Sequence, residues 1–364
     1  MARLIYVLHE RSTKEHFTAL EGYASTKNLE INYREFLVLR HLVKSILRLD
    51  ISLFIQQIRN FIFFITIIFS KRKNIIIGIA PLDFYLPFLI FFLKKHNLFY
   101  FTSWCDWSGN FFPKKKFSNS KFIKKTWSNF LKNDLKGVFC VTNTSAKSIQ
   151  ENFDLNSPIV VVNHSIDNSI PINKLAINKR DTNKIKLIYV GRLINSKGIK
   201  ELLSLIKSLD KELFSIKIVG DGPLRKEVEE ASKTFSNIEY FGHINSKREL
   251  FDLFCKSDVQ ILFSKKTKEN NWEELFGMVI IEAMYCGVVT ISTSHAGPKS
   301  IIDDRINGFL IDENKCIEEA TKILKERIFK NKKFIANTQN KAKQFYKDNL
   351  AKKWAVILDN YVEL

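Results

Sequence analysis

Two glutamates eight residues apart, Glu274 and Glu282, are the side chains of this chain best suited to chemistry. Gly277 between them can close a turn, the apolar run that follows predicts a helix over 277–286, and Gly287 predicts its end. We therefore expect Glu274 before the helix and Glu282 inside it. A carboxylate within so apolar a helix must meet a partner. On spacing alone, the two glutamates are explained equally well by ion pairs with some of the many lysines and by a role in binding a ligand.

The run from Glu274 to Ala283 reads E-L-F-G-x-x-x-x-E-A and resembles the signature of retaining nucleotide-sugar glycosyltransferases of family 4, which belong to the glycosyl transferases group 1 and have the GT-B fold. Further fragments follow in that family's order between residues 184 and 312. They are Gly191-Arg192-Leu193, Lys197-Gly198, Val219 to Pro223, Gly297-Pro298 and Asn307 to Leu310. Each fragment is weak, but their combination is specific.

The resemblance implies an α/β protein of two Rossmann-like, doubly wound domains that face a central cleft. It also implies that Glu274 bonds sugar hydroxyls, that Glu282 bonds the ribose, and that the amino end of helix 277–286 faces the diphosphate. The residues it implies for donor binding are Gly191, Arg192, Lys197, Gly220, Gly222, Glu274, Phe276, Gly277 and Glu282. The expected catalytic residues are Arg192, Lys197, Glu274 and Asp106.

Arg192 and Lys197 suit the chemistry of a departing diphosphate. Arg192 follows a predicted strand at 184–190, and Lys197 begins the next helix, so both are expected at the carboxyl end of a sheet. Fixed guanidinium and ammonium groups stabilise the negative charge of the leaving oxygen without a metal ion. We therefore expect a nucleotide-sugar co-substrate, no cofactor and no metal. The alternative is a pair of surface charges at an ordinary turn.

Strand-like runs alternate with helical stretches in both halves of the chain, which predicts parallel sheets covered on both faces. In the first half the runs lie at about 3–8, 30–36, 74–79, 98–102, 137–142 and 158–162, and in the second half at about 184–190, 216–219, 238–242, 258–264 and 288–291. No G-x-G-x-x-G follows the first strand, so dinucleotide binding there has no support. The predicted divisions are an acceptor-binding domain at 1–167, a linker at 168–183, a nucleotide-sugar-binding domain at 184–340, and a last helix at 341–364 that crosses back to the first domain.

Asp106 lies in a polar segment directly after the predicted strand at 98–102, at the carboxyl end where open α/β sheets bind ligands. Relatives in the family often place a histidine in this segment, and this chain has none there. Asp106 is therefore the best polar candidate in the first half. A structural cluster of Trp104, Asp106 and Trp107 is an equally good interpretation.

The formal net charge of +19 favours anionic partners, although lysine enrichment on a solvated surface explains part of it. Six lysines, together with Trp104, Trp107, Phe111, Phe112 and Trp127, predict an anionic membrane or acceptor surface. These six are Lys114, Lys115, Lys116, Lys121, Lys124 and Lys125. A solvated loop is the alternative for this window.

Two apolar stretches, 61–69 and 84–93, fall short of the roughly 20 residues that a bilayer span requires. We expect 84–93 in the core and part of 41–69 at a membrane interface. The five cysteines lack metal-ligand spacing, and the first strand reaches polar residues too soon for a signal peptide. We therefore expect a cytoplasmic protein, peripheral on the inner face of the cell membrane.

The function predicted on these grounds is transfer of a hexose from a UDP- or GDP-sugar to a glycan or lipid-linked saccharide in surface polysaccharide synthesis. Retention of configuration is implied by the resemblance. The alternatives are a catalytically silent or non-enzymatic membrane-associated binding protein and a nucleotide-sugar epimerase of the same fold. Nucleic acid is not expected as a partner, because the sequence has no zinc spacing, RNP-like strand or helix-turn-helix pattern.

Overall fold

The computed structural model describes residues 3–10, 14–109, 120–172, 183–267 and 272–362. The chain divides into two compact units, of which the first is Met1–Ser165 with Lys347–Leu364 and the second is Ile166–Tyr346. Each contains a six-stranded sheet, and all the strand pairs are parallel. The predicted fold class, α/β with two doubly wound Rossmann-like units, is confirmed.

The sheet of the first unit has the strand order β2-β1-β3-β4-β5-β6. Its strands are β1 (Arg3–His9), β2 (Leu29–Glu35), β3 (Asn74–Gly78), β4 (Asn97–Thr102), β5 (Leu135–Cys140) and β6 (Ile159–Val161). Its helices up to residue 165 are α1 (Thr18–Thr26), α2 (Val38–Leu47), α3 (Ile51–Phe69), α4 (Leu86–Leu93), α5 (Lys121–Asn129) and α6 (Asn143–Asn152). Central strands such as β3 are buried on both faces, which explains their unbroken apolar sequence.

The sheet of the second unit has the strand order β12-β11-β10-β7-β8-β9. Its strands are β7 (Ile185–Val190), β8 (Phe214–Val219), β9 (Ile238–Gly242), β10 (Val259–Leu262), β11 (Val289–Thr293) and β12 (Gly308–Ile311). Its helices are α7 (Ile199–Ser208), α8 (Arg225–Thr234), α9 (Lys247–Cys255), α10 (Met278–Tyr285), α11 (Ala296–Ile301), α12 (Cys316–Glu326) and α13 (Lys332–Ala342).

The last helix, α14 (Lys347–Val362), packs in the first unit, and it begins six residues after the predicted position 341. The hydroxyl of Tyr23 in α1 donates to Asp359 Oδ1 at 2.8 Å. The ring of Trp354 lies 4.2 Å, centre to centre, from that of Phe139 in β5. A buried aromatic contact and a charge-assisted hydrogen bond thus fasten this helix to the sheet and to α1.

The order of strands in the second unit reverses between β7 and β10. The chain proceeds outward from β7 to β9 and then places β10 on the other side of β7. The loops after β7 and β10 therefore leave the sheet side by side and in different directions, which opens a crevice at the carboxyl ends of the strands. The corresponding reversal in the first unit lies between β1 and β3.

Helix α3 is longer than the apolar stretch 61–69 that was predicted from the sequence. The run 61–69 is only its second half, and the whole helix has 19 residues. Among the described helices, this one is long and apolar enough to cross a bilayer, and 28% of its apolar window is buried. Length alone therefore does not exclude a span, contrary to the expectation from sequence.

Candidate functional site

Lys197 and Glu274 form an ion pair beside the crevice between β7 and β10. Lys197 ends a short 3-10 turn after β7, and its ammonium lies 4.9 Å from the centre of the Trp272 ring. Ser264, just after β10, donates its hydroxyl to Glu274 Oε2 at 2.9 Å. Both charged side chains are nearly buried, at 12% and 11% exposure. The carboxylate thus already has a cation and a hydroxyl donor, as a group that orients a polar ligand requires.

The second glutamate, Glu282, lies inside α10 and pairs with a different lysine. Lys247, the first residue of α9, places Nζ 2.6 Å from Glu282 Oε1. The Glu282 side chain is 5% exposed and that of Lys247 is 36% exposed, so the lysine connects a buried carboxylate with the surface. The sequence left an ion pair with a lysine open for both glutamates, and both pairs form. Sequence reasoning did not identify Lys247, because nothing local connects it with a residue 35 positions away.

The turn that carries Glu274 is held by the start of α11. The carbonyl of Glu274 accepts from Gly297 N at 2.9 Å, and Glu273 Oε2 accepts from Ala296 N at 2.9 Å. His295 Nε2 donates to the Ser264 carbonyl at 2.7 Å, while its Nδ1 lies 3.3 Å from Glu273 Oε2. Burial would raise the pKa of Glu273, but the bonds from His295 and Ala296 outweigh it and lower that pKa. These contacts fix the turn, and none of them was predicted from the sequence, which offered Gly297-Pro298 only as a fragment of the family pattern.

The glycines after β7 and β8 let two loop backbones touch. A Cβ on Gly220 would lie 1.8 Å from the carbonyl oxygen of Gly191, so no other residue fits there without moving a backbone. Leu193 N donates to the Asp221 carbonyl at 2.9 Å, and a Cβ on Gly222 would lie 2.6 Å from the Leu193 carbonyl. The two loops therefore form one backbone-lined surface beside the crevice.

Arg192 lies in the loop after β7, and its side chain is exposed. Within the described ranges it has no ion-pair partner, in contrast to Lys197. Its carbonyl accepts from the buried Tyr189 hydroxyl at 2.9 Å. Burial raises the pKa of that hydroxyl, with Glu274 adding to the rise and Arg192 opposing it. Both Arg192 and Glu274 thus influence the Tyr189 hydroxyl, and the exposed guanidinium is accessible to an anion.

Phe276 and Gly277 complete the turn before α10. Phe276 is buried, with its ring 6.0 Å from that of Phe345. Gly277 has φ +95°, in the left-handed region that favours glycine, and immediately precedes the helix. The predicted helix is therefore present, and its amino end follows directly on the turn that carries Glu274.

No group of three or more His, Cys, Asp or Glu that could hold a metal ion occurs in the described parts of the chain. Glu274 and Glu282 each pair with a lysine, and Glu273 pairs with His295. The arrangement offers carboxylates for hydroxyl groups and fixed cations for phosphates.

Asp106, in the first unit, bonds within its own loop. Its Oδ1 accepts from Ser108 N at 3.0 Å and from the Ser108 hydroxyl at 2.6 Å, and its carbonyl accepts from Trp104 Nε1 at 2.6 Å. These contacts favour the alternative interpretation, in which Trp104, Asp106 and Trp107 form a structural cluster. Its catalytic role stays a prediction.

Three histidines that sequence reasoning did not consider as site residues meet at the carboxyl end of the first sheet. His9 ends β1, and a Cβ on Gly78, which ends β3, would lie 2.6 Å from its ring. The His16 ring is 4.6 Å from that of His164. Burial lowers the pKa of His16 to about 4 and that of His164 to about 3. Both imidazoles are therefore neutral near pH 7 and able to accept a hydrogen bond.

The predicted basic surface is only partly described. Lys114, Lys115 and Lys116, with Phe111 and Phe112, lie outside the described residues. Lys121, Lys124 and Lys125 are exposed on α5. The tryptophans expected to border this window are buried, and Trp127 donates to the Asp83 carbonyl at 3.0 Å. The prediction that Trp104, Trp107 and Trp127 anchor a membrane surface was wrong, because their rings belong to the core.

Residues 172–345 match the family model described as glycosyl transferases group 1. This range covers nearly all of the second unit, which contains every predicted donor-binding residue. An uncharacterised 41.2 kDa protein of the cps region of Klebsiella pneumoniae is 33% identical over 150 residues, which are 40% of this chain and 39% of that protein. An uncharacterised glycosyltransferase of Methanocaldococcus jannaschii is 25% identical over 238 residues, 63% of this chain and 58% of that protein. The matches thus span less than two thirds of these relatives.

Solved structures share the fold over the whole chain. The complex of Anabaena HepE with UDP has a TM-score of 0.68 at 14% identity, and the match covers 99% of this chain and 100% of that one. Sucrose-phosphate synthase of Thermosynechococcus elongatus has a TM-score of 0.70 at 11% identity, with 98% of both chains covered. The two-unit α/β fold is therefore of the GT-B type. The family match supports the predicted glycosyltransferase class.

Proposed function

We propose that this chain is a retaining glycosyltransferase of family 4 that moves a hexose from a UDP- or GDP-sugar to a glycan or lipid-linked saccharide. The observation that carries the proposal is the network of Lys197, Glu274 and Ser264 at the reversal between β7 and β10, with the exposed guanidinium of Arg192 on the loop after β7. Open α/β sheets bind ligands at such a reversal. The family match over the same unit supports this assignment.

In this proposal Arg192 and Lys197 bind the diphosphate of the donor. As the bond between the sugar C1 and the diphosphate oxygen breaks, negative charge grows on that oxygen, and two fixed cations stabilise it. Lys197 is neutralised by Glu274 in the ligand-free protein, so sugar hydroxyls that bond Glu274 would free the ammonium for the phosphate. Gly191, Gly220 and Gly222 would let the backbone approach the same group, with Phe276 and Gly277 holding the amino end of α10 toward it.

Glu282 would bind the ribose, since a buried carboxylate accepts two hydroxyl hydrogen bonds well. Lys247 keeps it paired in the absence of ligand. The acceptor oxygen attacks C1 on the face that the diphosphate leaves, and its proton passes to the departing phosphate oxygen. This route needs no protein nucleophile, metal or cofactor.

The first unit would bind the acceptor. Asp106, His9 and the neutral His16 lie at or after the carboxyl ends of strands of that sheet and offer hydrogen bonds to hydroxyl groups. The solved complex of HepE with UDP and glucose favours UDP as the nucleotide, and the relative from a cps region favours surface polysaccharide synthesis. We place the reaction in the cytoplasm at the inner face of the membrane, with the Lys114 to Lys125 window facing anionic lipid.

The test is release of nucleoside diphosphate from a panel of UDP- and GDP-sugars, with and without saccharide acceptors. Arg192→Ala should lose on the order of 2–4 kcal/mol of transition-state stabilisation, which is a fall of about 30-fold or more in turnover. Lys200→Ala, an exposed lysine on α7, is the charge-matched control. Wild-type turnover in Arg192→Ala would remove the phosphate assignment.

A second candidate is a catalytically silent binding protein, which the lysine pairs on both glutamates favour. Such a protein would bind a nucleotide-sugar without turning over any donor. Binding without release across the whole panel would therefore favour the silent protein over the enzyme.

A further inference from the structure

The hairpin formed by α2 and α3, residues 38–69, exposes much apolar surface. Thirteen large apolar side chains between Leu39 and Phe69 are exposed, with Leu49 at 89% and Phe69 at 84%. On α3 they recur at the spacing of one helix face. Members of this face are Ile51, Ile55, Ile58, Ile62, Ile65 and Phe69. Contiguous apolar surface of this extent marks an interaction site.

The opposite face of α3 belongs to the core of the first unit. Phe63, Phe64 and Ile67 are buried, and the Phe64 ring lies 5.7 Å from that of Phe92. The buried Gln57 donates to Glu35 Oε2 at 2.9 Å. A helix that crossed a bilayer would have to leave this polar and apolar packing along its whole length. The packing of α3 against the first unit therefore favours a helix that lies in the plane of a membrane surface over one that crosses the membrane.

The Glu35 carboxylate, at the end of β2, ties both helices of the hairpin to the sheet. His41 of α2 places Nδ1 3.0 Å from Glu35 Oε2, and Gln56 of α3 donates to Oε1 at 3.2 Å. Asn60 donates to the side chain of Gln57 at 3.2 Å. His41, Gln56, Gln57 and Asn60 are thus turned toward the sheet, and apolar side chains predominate on the exposed side.

Basic residues accompany the exposed face. Residues 38–73 contain seven Lys and Arg against one acid, Asp50, whose carboxylate caps α3 by accepting from Leu53 N at 2.9 Å. Arg40, Lys44 and Arg48 recur every fourth residue, next to the apolar row of α2. A second copy of this chain would bring like charges together, whereas an anionic bilayer supplies the opposite charge at the depth where an in-plane helix lies.

We propose that the α2–α3 hairpin lies in the plane of an anionic lipid bilayer. The exposed face of α3 enters the boundary between headgroups and acyl chains, and the row of Arg40, Lys44 and Arg48 contacts the headgroups. This surface is independent of the lysine window at 114–125 and of the donor site. Where the proposed function also holds, which this step assumes, the surface selects a lipid-linked saccharide as the acceptor class.

Flotation of the full chain with vesicles tests this proposal. Vesicles of phosphatidylcholine with phosphatidylglycerol should bind the wild type, and vesicles of phosphatidylcholine alone should bind it much less. The triple variant Ile58→Gln, Ile62→Gln and Ile65→Gln should lower the partition coefficient about tenfold or more, because it removes apolar area of the α3 face from the lipid. The control changes exposed apolar residues elsewhere to glutamine: Leu213, Ile306 and Val356.

The charge contribution needs its own pair of variants. Changing Arg40, Lys44 and Arg48 to glutamine should weaken binding about tenfold or more at about 0.1 M salt and much less at about 1 M salt. The control removes the same charge from exposed lysines of the second unit: Lys211, Lys226 and Lys233.

Equal flotation of the wild type and the apolar triple variant would overturn the proposal. Sedimentation velocity without vesicles gives a second test. A concentration-dependent dimer that the same variant abolishes would also overturn the proposal, because a second copy of the chain would then cover the face. Release of nucleoside diphosphate in solution by these variants distinguishes the membrane proposal from the proposed function. Vesicle binding without donor turnover in any variant would leave the surface standing and contradict the proposed function.

Discussion

At the residue scale, the candidate site depends on two glutamates whose partners lie far away in the chain. The sequence placed Glu274 before a helix and Glu282 within it, because glycine and apolar periodicity are local signals. It did not pair Lys197 with Glu274 or find Lys247, since a contact across 77 or 35 residues leaves no local pattern. The resemblance supplied the site residues, and the geometry supplied their partners.

Lys247→Met should weaken donor binding. The change leaves the Glu282 carboxylate, 5% exposed, without the ammonium that fixes its orientation. We expect KM for the nucleotide-sugar to rise about tenfold with a smaller change in kcat, because the ribose contact is made before and during the reaction. Steady-state kinetics give the split. Lys256→Met, at the other end of α9, is the control, and the same KM in all three proteins would count against a positioning role.

His164 should make the stability of the first unit depend on pH. Burial lowers its pKa from 6.5 to about 3, so between these values the unfolded chain binds the additional proton. The stability is therefore complete above pH 6.5 and decreases as the pH falls toward 3, with a slope of about 1.4 kcal/mol per pH unit for this group.

His164→Gln should remove the contribution of this imidazole to the slope of stability against pH, whatever the substitution does to stability at pH 7. Denaturant unfolding between pH 6.5 and pH 4.5 measures the slope directly. His243→Gln, at an exposed position of the second unit, should leave the slope unchanged. A slope that is the same in His164→Gln and the wild type would show that this imidazole is not buried as described.

At the element scale, the alternation of strands and helices was readable because parallel strands buried on both faces are continuous apolar runs. Eleven of the described strands were expected, and β12 was missed because it begins at the glycine of the Asn307-Gly308 pair, a dipeptide typical of turns. The length of α3 was underestimated, since its first half mixes Gln, Arg and Asn with apolar residues. Gln56 and Gln57 bond Glu35, and Asn60 bonds Gln57, a tertiary reason that periodicity does not reveal.

Gly220→Ala should disrupt the two loops after β7 and β8. The added Cβ would lie 1.8 Å from the Gly191 carbonyl oxygen, so one backbone must move. Gly242→Ala is the matched control, because its φ is also positive, at +68°, but a Cβ there meets nothing within 4 Å. We expect Gly242→Ala to cost about 1 kcal/mol through backbone strain and Gly220→Ala to cost more and abolish nucleotide binding.

Thermal unfolding and nucleotide titration of both variants provide the comparison. Equal stability and equal binding in Gly220→Ala and Gly242→Ala would show that the two loops are not packed as tightly as described. The test thus examines the element that brings Arg192 to the crevice.

At the scale of the whole molecule, composition predicted two domains and a basic protein but not where the charge would matter. The lysine window was paired in the sequence with tryptophans, yet three of these are buried in the first unit. The exposed apolar face lies on α2 and α3 instead, with Arg40, Lys44 and Arg48 beside it. A count of charges and aromatics cannot distinguish rings in a core from rings on a surface, whereas burial does.

The central claim is that the second unit binds a nucleoside diphosphate at the crevice between β7 and β10 through fixed cations. Calorimetric titration of UDP and GDP into the wild type, with a chelator present, tests it most directly. We expect saturable binding of at least one of them, weakened about 30-fold or more in Arg192→Ala and unchanged in the charge-matched Lys226→Ala. Binding that requires a divalent ion, or that is equal in Arg192→Ala and the wild type, would contradict it.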